Sequence, residues 1–174
     1  MKRMCAVFLA MVLALALAGC GGSGQASSEG RVGDTMETYF FDFTVNSAYL
    51  CTEYEGYVPV DGNVLLVADV TVKNTFQKSI EMYDTDFQIQ WGDGDEDYGY
   101  PITIDMETGE ELDPVSDEQL PGTYNLGVNA ERGGVLVYEV PADHVDFSIS
   151  HLEQFDDGSE GDVYFVYFTA EDQT

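Results

Sequence analysis

The stretch Asn63-Val64-Leu65-Leu66-Val67-Ala68-Asp69-Val70-Thr71-Val72-Lys73-Asn74 constrains the fold more than any other part of the chain. Val64, Leu66, Ala68, Val70 and Val72 recur at every second position. An extended backbone puts them on one face, with Asp69, Thr71 and Lys73 on the other. Leu65 and Val67 make the first half apolar on both sides, as a central strand would be. A helix would scatter the same residues around its circumference. Similar alternation returns in residues 41–47, in residues 87–91 with Phe87, Ile89 and Trp91 on one side, and in residues 145–150 with Val145, Phe147 and Ile149 inward. Residues 133–140 and 163–169 add two more strands. Pro141 stops the first of these, because it has no N–H to give to a ladder.

Turn chemistry separates the runs: Asp61-Gly62, residues 92–95, Thr108-Gly109, Pro121-Gly122 and Asp157-Gly158. Many short strands without helical spacing between them predict an all-β fold, an immunoglobulin-like antiparallel β-sandwich of seven to nine strands. A closed barrel is the runner-up. The predicted core is Phe43, Val45, Leu66, Ala68, Val70, Val72, Phe87, Ile89, Trp91, Leu136, Tyr138, Phe147, Ile149, Phe165 and Tyr167. Residues 105–118 carry seven acids and no sustained alternation. They read as a long acidic loop with at most one helical turn, at residues 107–111.

The N-terminus follows different rules. Met1-Lys2-Arg3 is basic, and the apolar run of residues 4–18 is short of the roughly 20 residues that span a bilayer core. That combination reads as a secretory signal. Its exit, Leu17-Ala18-Gly19-Cys20, resembles the lipobox of bacterial lipoproteins. The resemblance implies removal of residues 1–19 and a diacylglyceryl lipid on Cys20, placing the protein outside the cytoplasm on the cell membrane. One acyl chain alone would bind only marginally. Residues 20–33 then read as the lipidated cysteine and a flexible Gly/Ser-rich spacer, residues 34–170 as the domain, and residues 171–174 as a short tail.

The charge balance limits the partners. There are 33 Asp+Glu and 6 Lys+Arg, for a formal net charge of −27. Loss of residues 1–19 removes Lys2 and Arg3 but no acid, giving −29 and leaving Arg31, Lys73, Lys78 and Arg132 as the only Lys and Arg. Such a chain lacks the basic face that nucleic acid requires. The expected partners are a membrane, reached through the lipid, and a protein or other envelope ligand with basic or hydrogen-bonding groups.

No residue pattern specifies catalysis, a cofactor or a transition metal. His144 and His151 are the only histidines, and Ser148 or Ser150 with either would complete a Ser-His-Asp set on paper. A triad is defined by geometry, however, and no strand-to-helix nucleophile elbow is present. Among so many acids, some pair always lies at glycosidase spacing, so carboxylate pairs have no diagnostic value. Cys51 is the one cysteine left after Cys5 and Cys20. It sits beside Glu53 and Glu55, which oppose a thiolate, and reads as a half-buried small hydrophobe. Asp93-Gly94-Asp95-Glu96-Asp97 begins like a calcium loop, but Tyr98 and Ile104 stand where Gly and a bidentate Glu are needed. It reads as a hairpin turn, with weak divalent-cation association as the alternative role. Tyr49, Tyr54, Tyr57, Tyr98 and Tyr100 lie near strand ends and read as sheet packing.

Val32-Gly33-Asp34-Thr35, Phe43-Thr44-Val45-Asn46-Ser47, residues 70–75, Asp86-Phe87-Gln88-Ile89 and residues 134–141 follow one another in a definite order. In that order the chain resembles the uncharacterised immunoglobulin-like domain of bacterial lipoproteins related to secreted immunoprotective antigens. The resemblance implies a single β-sandwich behind a signal and a polar spacer, and an envelope location. It implies no catalytic residue.

Overall fold

The computed structural model describes residues 25–94, 96–105 and 108–173; the signal segment and Cys20 lie outside them. Among the described residues the strands are β1 (Ser27–Arg31), β2 (Thr35–Glu37), β3 (Phe41–Cys51), β4 (Asn63–Asn74), β5 (Ile80–Tyr83), β6 (Gln88–Gln90), β7 (Tyr98–Gly99), β8 (Thr123–Leu126), β9 (Glu131–Pro141), β10 (Asp146–Gln154), β11 (Glu160–Thr169) and β12 (Glu171–Asp172). A 3₁₀ turn, Asp84–Asp86, separates β5 from β6. One sheet has the order β1-β11-β10-β6-β7. The other runs β12-β3-β4-β9, with β2 also on β3, and β5-β8 forms a separate ribbon. The fold is the expected β-sandwich, with more and shorter strands than the alternation revealed.

The alternation in β4 translates directly into packing. Leu66, Ala68, Val70 and Val72 are fully buried in the main core with Phe87, just ahead of β6, and with Ile89 and Ile149 of the other sheet. Leu65 and Val67 lie on the opposite face with Val137, under Tyr49, Cys51, Tyr54, Tyr57 and Ile102. In β3 a bulge between Val45 and Ser47 shifts the period by one. Phe41, Phe43 and Val45 point inward before it and Leu50 after it, so Tyr49 and Cys51 reach the outer face.

Four core expectations need correction. Phe165 and Tyr167 face outward, stacked at 5.8 Å, while Tyr164 and Val166 enter the core. Residues 163–168 are apolar at both parities, so alternation could not choose a face. Val145 is 50% exposed, because β10 starts one residue later and the Val145 carbonyl accepts the Ala170 N–H at 2.8 Å. Trp91 is only partly buried, packed against the rim of the core.

The domain also extends beyond the expected limits. β1, in the expected spacer, pairs parallel with β11 from Ser27↔Val163 to Arg31↔Tyr167. β12, inside the expected tail, pairs parallel with β3. The acidic loop is anchored at both of its ends. Ile102 N–H donates to Val137 O at 2.9 Å, Val135 N–H to Glu118 O at 2.9 Å and Leu120 N–H to Val135 O at 2.9 Å. These bonds cover the free edge of β9, which would otherwise offer unpaired backbone to another chain. A Gly109 N–H to Asp105 O bond of 2.7 Å closes a single turn there; Met106 and Glu107 lie outside the described residues.

Candidate functional site

Strand parity decides the serine–histidine question. Ser148 and Ser150 share one face of β10, where Ser148 Oγ donates to Gln90 Oε1 at 3.4 Å and Ser150 Oγ to Gln88 O at 3.4 Å. His151 turns to the other face, in contact with the rings of Phe41, Phe43, Phe87 and Tyr164. Its Nδ1 lies 3.1 Å from Asp86 O, so Nδ1 carries the proton, and burial lowers its pKa. His144 sits at the β9–β10 turn with Nδ1 2.9 Å from the Asp143 carboxylate. The structure therefore brings neither histidine to a serine. Cys51 is half-buried, and burial pushes its thiol pKa up, as an inert packing cysteine requires.

The buried carboxylates are occupied in holding loops. Asp84 accepts the Thr103 hydroxyl, and burial raises its pKa. Asp86 caps the 3₁₀ turn by accepting Tyr83 N–H at 2.9 Å, and burial pushes its pKa up to about 6. Glu153 accepts Tyr39 N–H at 2.7 Å, Tyr164 Oη at 2.9 Å and Asp162 N–H at 3.1 Å. The acidic turn behaves likewise. Asp97 Oδ2 accepts Gly94 N–H at 2.8 Å, inside the hairpin that joins β6 to β7. Asp95 lies outside the described residues. Among the described residues no three metal-ligating side chains converge.

The arrangement most suited to contact with a partner is aromatic and was missed by the sequence reading. Tyr39 and Phe40 from the β2–β3 loop, Phe76 after β4 and Phe155 after β10 form one cluster, with centroids 4.9–5.8 Å apart. Tyr39 is 60% exposed. Buried polar groups fix the rings from beneath: Glu153 holds Tyr39, and Asn74 Oδ1 accepts Phe76 N–H at 2.8 Å. Asn74 Nδ2 donates to Lys78 O and Leu126 O, both at 2.8 Å, tying together the loops of this end. The available signal was a lone bulky ring among turn residues, as in Gln154-Phe155-Asp156-Asp157-Gly158. By contrast, Tyr49, Tyr54 and Tyr57 cover the small outer cluster on β4, and Tyr98 and Tyr100 pack edge to face at 6.0 Å.

A family described as a domain of unknown function, DUF4352, matches residues 30–160. The chain belongs to this family. No curated protein matches the sequence. Among solved structures, the chain is similar to ycdA of Bacillus subtilis, described as a candidate lipoprotein, at TM-score 0.55 and 16% identity. The match covers 78% of this chain but only 38% of that one, so the chain spans well under half of ycdA. It is also similar to yjhA of the same organism, at TM-score 0.50 and 17% identity, over 70% of this chain and 81% of that one. A third similarity is to an uncharacterised β-sandwich protein of Clostridium difficile, at TM-score 0.46 and 16% identity, over 86% and 99% of the two chains. At these identities the likeness concerns the fold.

Proposed function

We propose that this DUF4352 chain is a cell-envelope lipoprotein, anchored by a lipid on Cys20, that presents an acidic, non-catalytic β-sandwich to a protein or other envelope ligand. The observation that carries this reading is the junction itself: only six residues separate Cys20 of Leu17-Ala18-Gly19-Cys20 from Ser27, which is already paired to Val163. A signal, a lipid-bearing cysteine and an outer domain thus follow in immediate succession. The description of ycdA as a candidate lipoprotein agrees with it, and kinship with secreted immunoprotective antigens belongs to the same reading. Binding rather than catalysis is favoured by the opposite facing of His151 and the serines of β10, and by carboxylates engaged with loop backbone. Replacing Cys20 with Ala is expected to abolish labelling by a lipid precursor and to release the protein from membranes or leave its signal uncleaved. Unchanged labelling and fractionation would refute the anchor.

A further inference from the structure

We infer that the aromatic end of the sandwich, built from Tyr39, Phe40, Phe76 and Phe155, is the face that rests on the lipid surface. The inference rests on the anchor reading and adds an orientation to it. The chain emerges from the fold beside these rings. Ala26 N–H donates to Asp162 Oδ1 at 3.0 Å, Asp162 N–H to Glu153 Oε2 at 3.1 Å, and the other oxygen of Glu153 accepts Tyr39 N–H at 2.7 Å. Three hydrogen bonds thus connect the point of exit with the most exposed ring. From Cys20 to Ala26 the backbone spans at most about 20 Å, whatever its conformation. A lipid on Cys20 therefore keeps this end close to the head groups.

The side chains there suit such a neighbour. Aromatic rings with one exposed edge or face favour the boundary between head groups and acyl chains. The rings meet at interplanar angles of 44° to 81°, which leaves no flat strip for stacking a sugar. The charge is also unevenly placed. Of the four cations that remain after loss of residues 1–19, Lys73, Lys78 and Arg132 belong to this end. Lys73 is paired with Glu131, and Arg132 with Val72. Arg31, the fourth, lies over the Tyr167 ring toward the other end of the sandwich, whose loops 52–62, 92–94, 96–97 and 142–145 contain acids and no Lys or Arg. Acids such as Glu37, Asp156 and Asp157 share the aromatic end, so the leaflet is not strongly attracted. The orientation is nevertheless the one that turns three of the four cations toward an anionic surface and the acidic loops of the other end away from it.

The experiment uses the isotopically labelled full chain, produced with its signal and inserted in phosphatidylcholine–phosphatidylglycerol nanodiscs bearing a trace of gadolinium-chelating lipid. Relaxation enhancement is read at the amides of Tyr39, Phe76 and Phe155 and, at the far end, of Val58 and Val60. The expected result is enhancement several-fold greater at the aromatic end, dropping several-fold at Phe76 and Phe155 in Tyr39→Ser, whose retained amide spectrum elsewhere shows that the fold is kept. A gradient that Tyr39→Ser leaves intact would be a tether effect alone and would overturn the inference. Equal enhancement at both ends, or signals that depend on protein density and so report a second copy on this face, would overturn it too. Intact mass shows separately whether Cys20 carries lipid. If it does not, the anchor reading fails, and coupling Cys20 of a Cys51→Ser chain without residues 1–19 to maleimide lipid still decides the orientation by the same signals.

Discussion

The two titrating groups that meet at the 3₁₀ turn have opposite effects on stability. Burial keeps His151 neutral in the folded protein. An unfolded histidine takes up a proton near pH 6.5, so this residue's contribution is complete above that pH and is lost as pH falls. Asp86 is the reverse. Its folded pKa of about 6 lies above the ordinary carboxylate value, so its contribution is present in acid and is lost as pH rises through 6. Asp86→Asn keeps an acceptor for Tyr83 N–H and removes the desolvated charge. Relative to the parent it should gain stability from pH 4 to pH 7, by about 1–2 kcal/mol after discounting for partial solvent access. His151→Leu should gain in the other direction, as pH falls from 7 toward 5, whatever it loses in packing. Urea unfolding across that range measures both slopes, and slopes of the same sign would refute the assignment. Sequence alone identified His151 as one of two histidines but not its role. Its neutrality comes from the rings of Phe41, Phe43 and Phe87, which belong to distant strands.

Among the elements, the strand with the longest unbroken alternation was the easiest to read. β4 occupies the limits its alternation marks, Asn63–Asn74, because a buried face fixes both parity and register. Where both parities are apolar, as in residues 163–168, the partner strand chooses the face, and that information lies in β10. β1, β2, β5, β7, β8 and β12 are five residues or fewer. Each is held by a longer neighbour and leaves too few residues for a period to emerge. The segment over the edge of β9 was hidden for another reason: its seat is a glycine. A Cβ on Gly134 would lie 2.8 Å from Leu120 Cδ2 and 3.0 Å from the Glu118 carbonyl oxygen. The backbone oxygen has little freedom to yield, since Val135 N–H binds it at 2.9 Å. Gly134→Ala should therefore cost about 1–3 kcal/mol and raise amide hydrogen exchange at Leu120 and Val135, leaving exchange in the β3–β4 pair unchanged. Uniform change across both sheets would mean that the glycine serves some other end.

For the molecule as a whole, the dominant quantity is charge. A formal −29 over the chain after residue 19 sets up a field that draws cations and basic surfaces inward and repels polyanions. The carboxylates that build the fold, Asp84, Glu139 and Glu153, are engaged in hydrogen bonds with loop and strand groups. The exposed ones remain to generate that field, those of residues 52–62, 93–94, 96–97 and 143 without a Lys or Arg in the same loops. If those loops meet the ligand, long-range attraction accelerates encounter while short-range contacts set the lifetime of the complex. Raising salt from low to physiological strength shortens the Debye length to about 8 Å and removes most of the long-range part. The association rate should therefore fall steeply over that range, with a much smaller change in the dissociation rate. Surface-immobilised protein and stopped-flow mixing would both measure it. Asp93→Asn with Asp97→Asn should lower the association rate at low salt and converge on the parent at high salt. An association rate indifferent to salt would place the ligand's recognition in apolar contacts alone and remove acidity from the function.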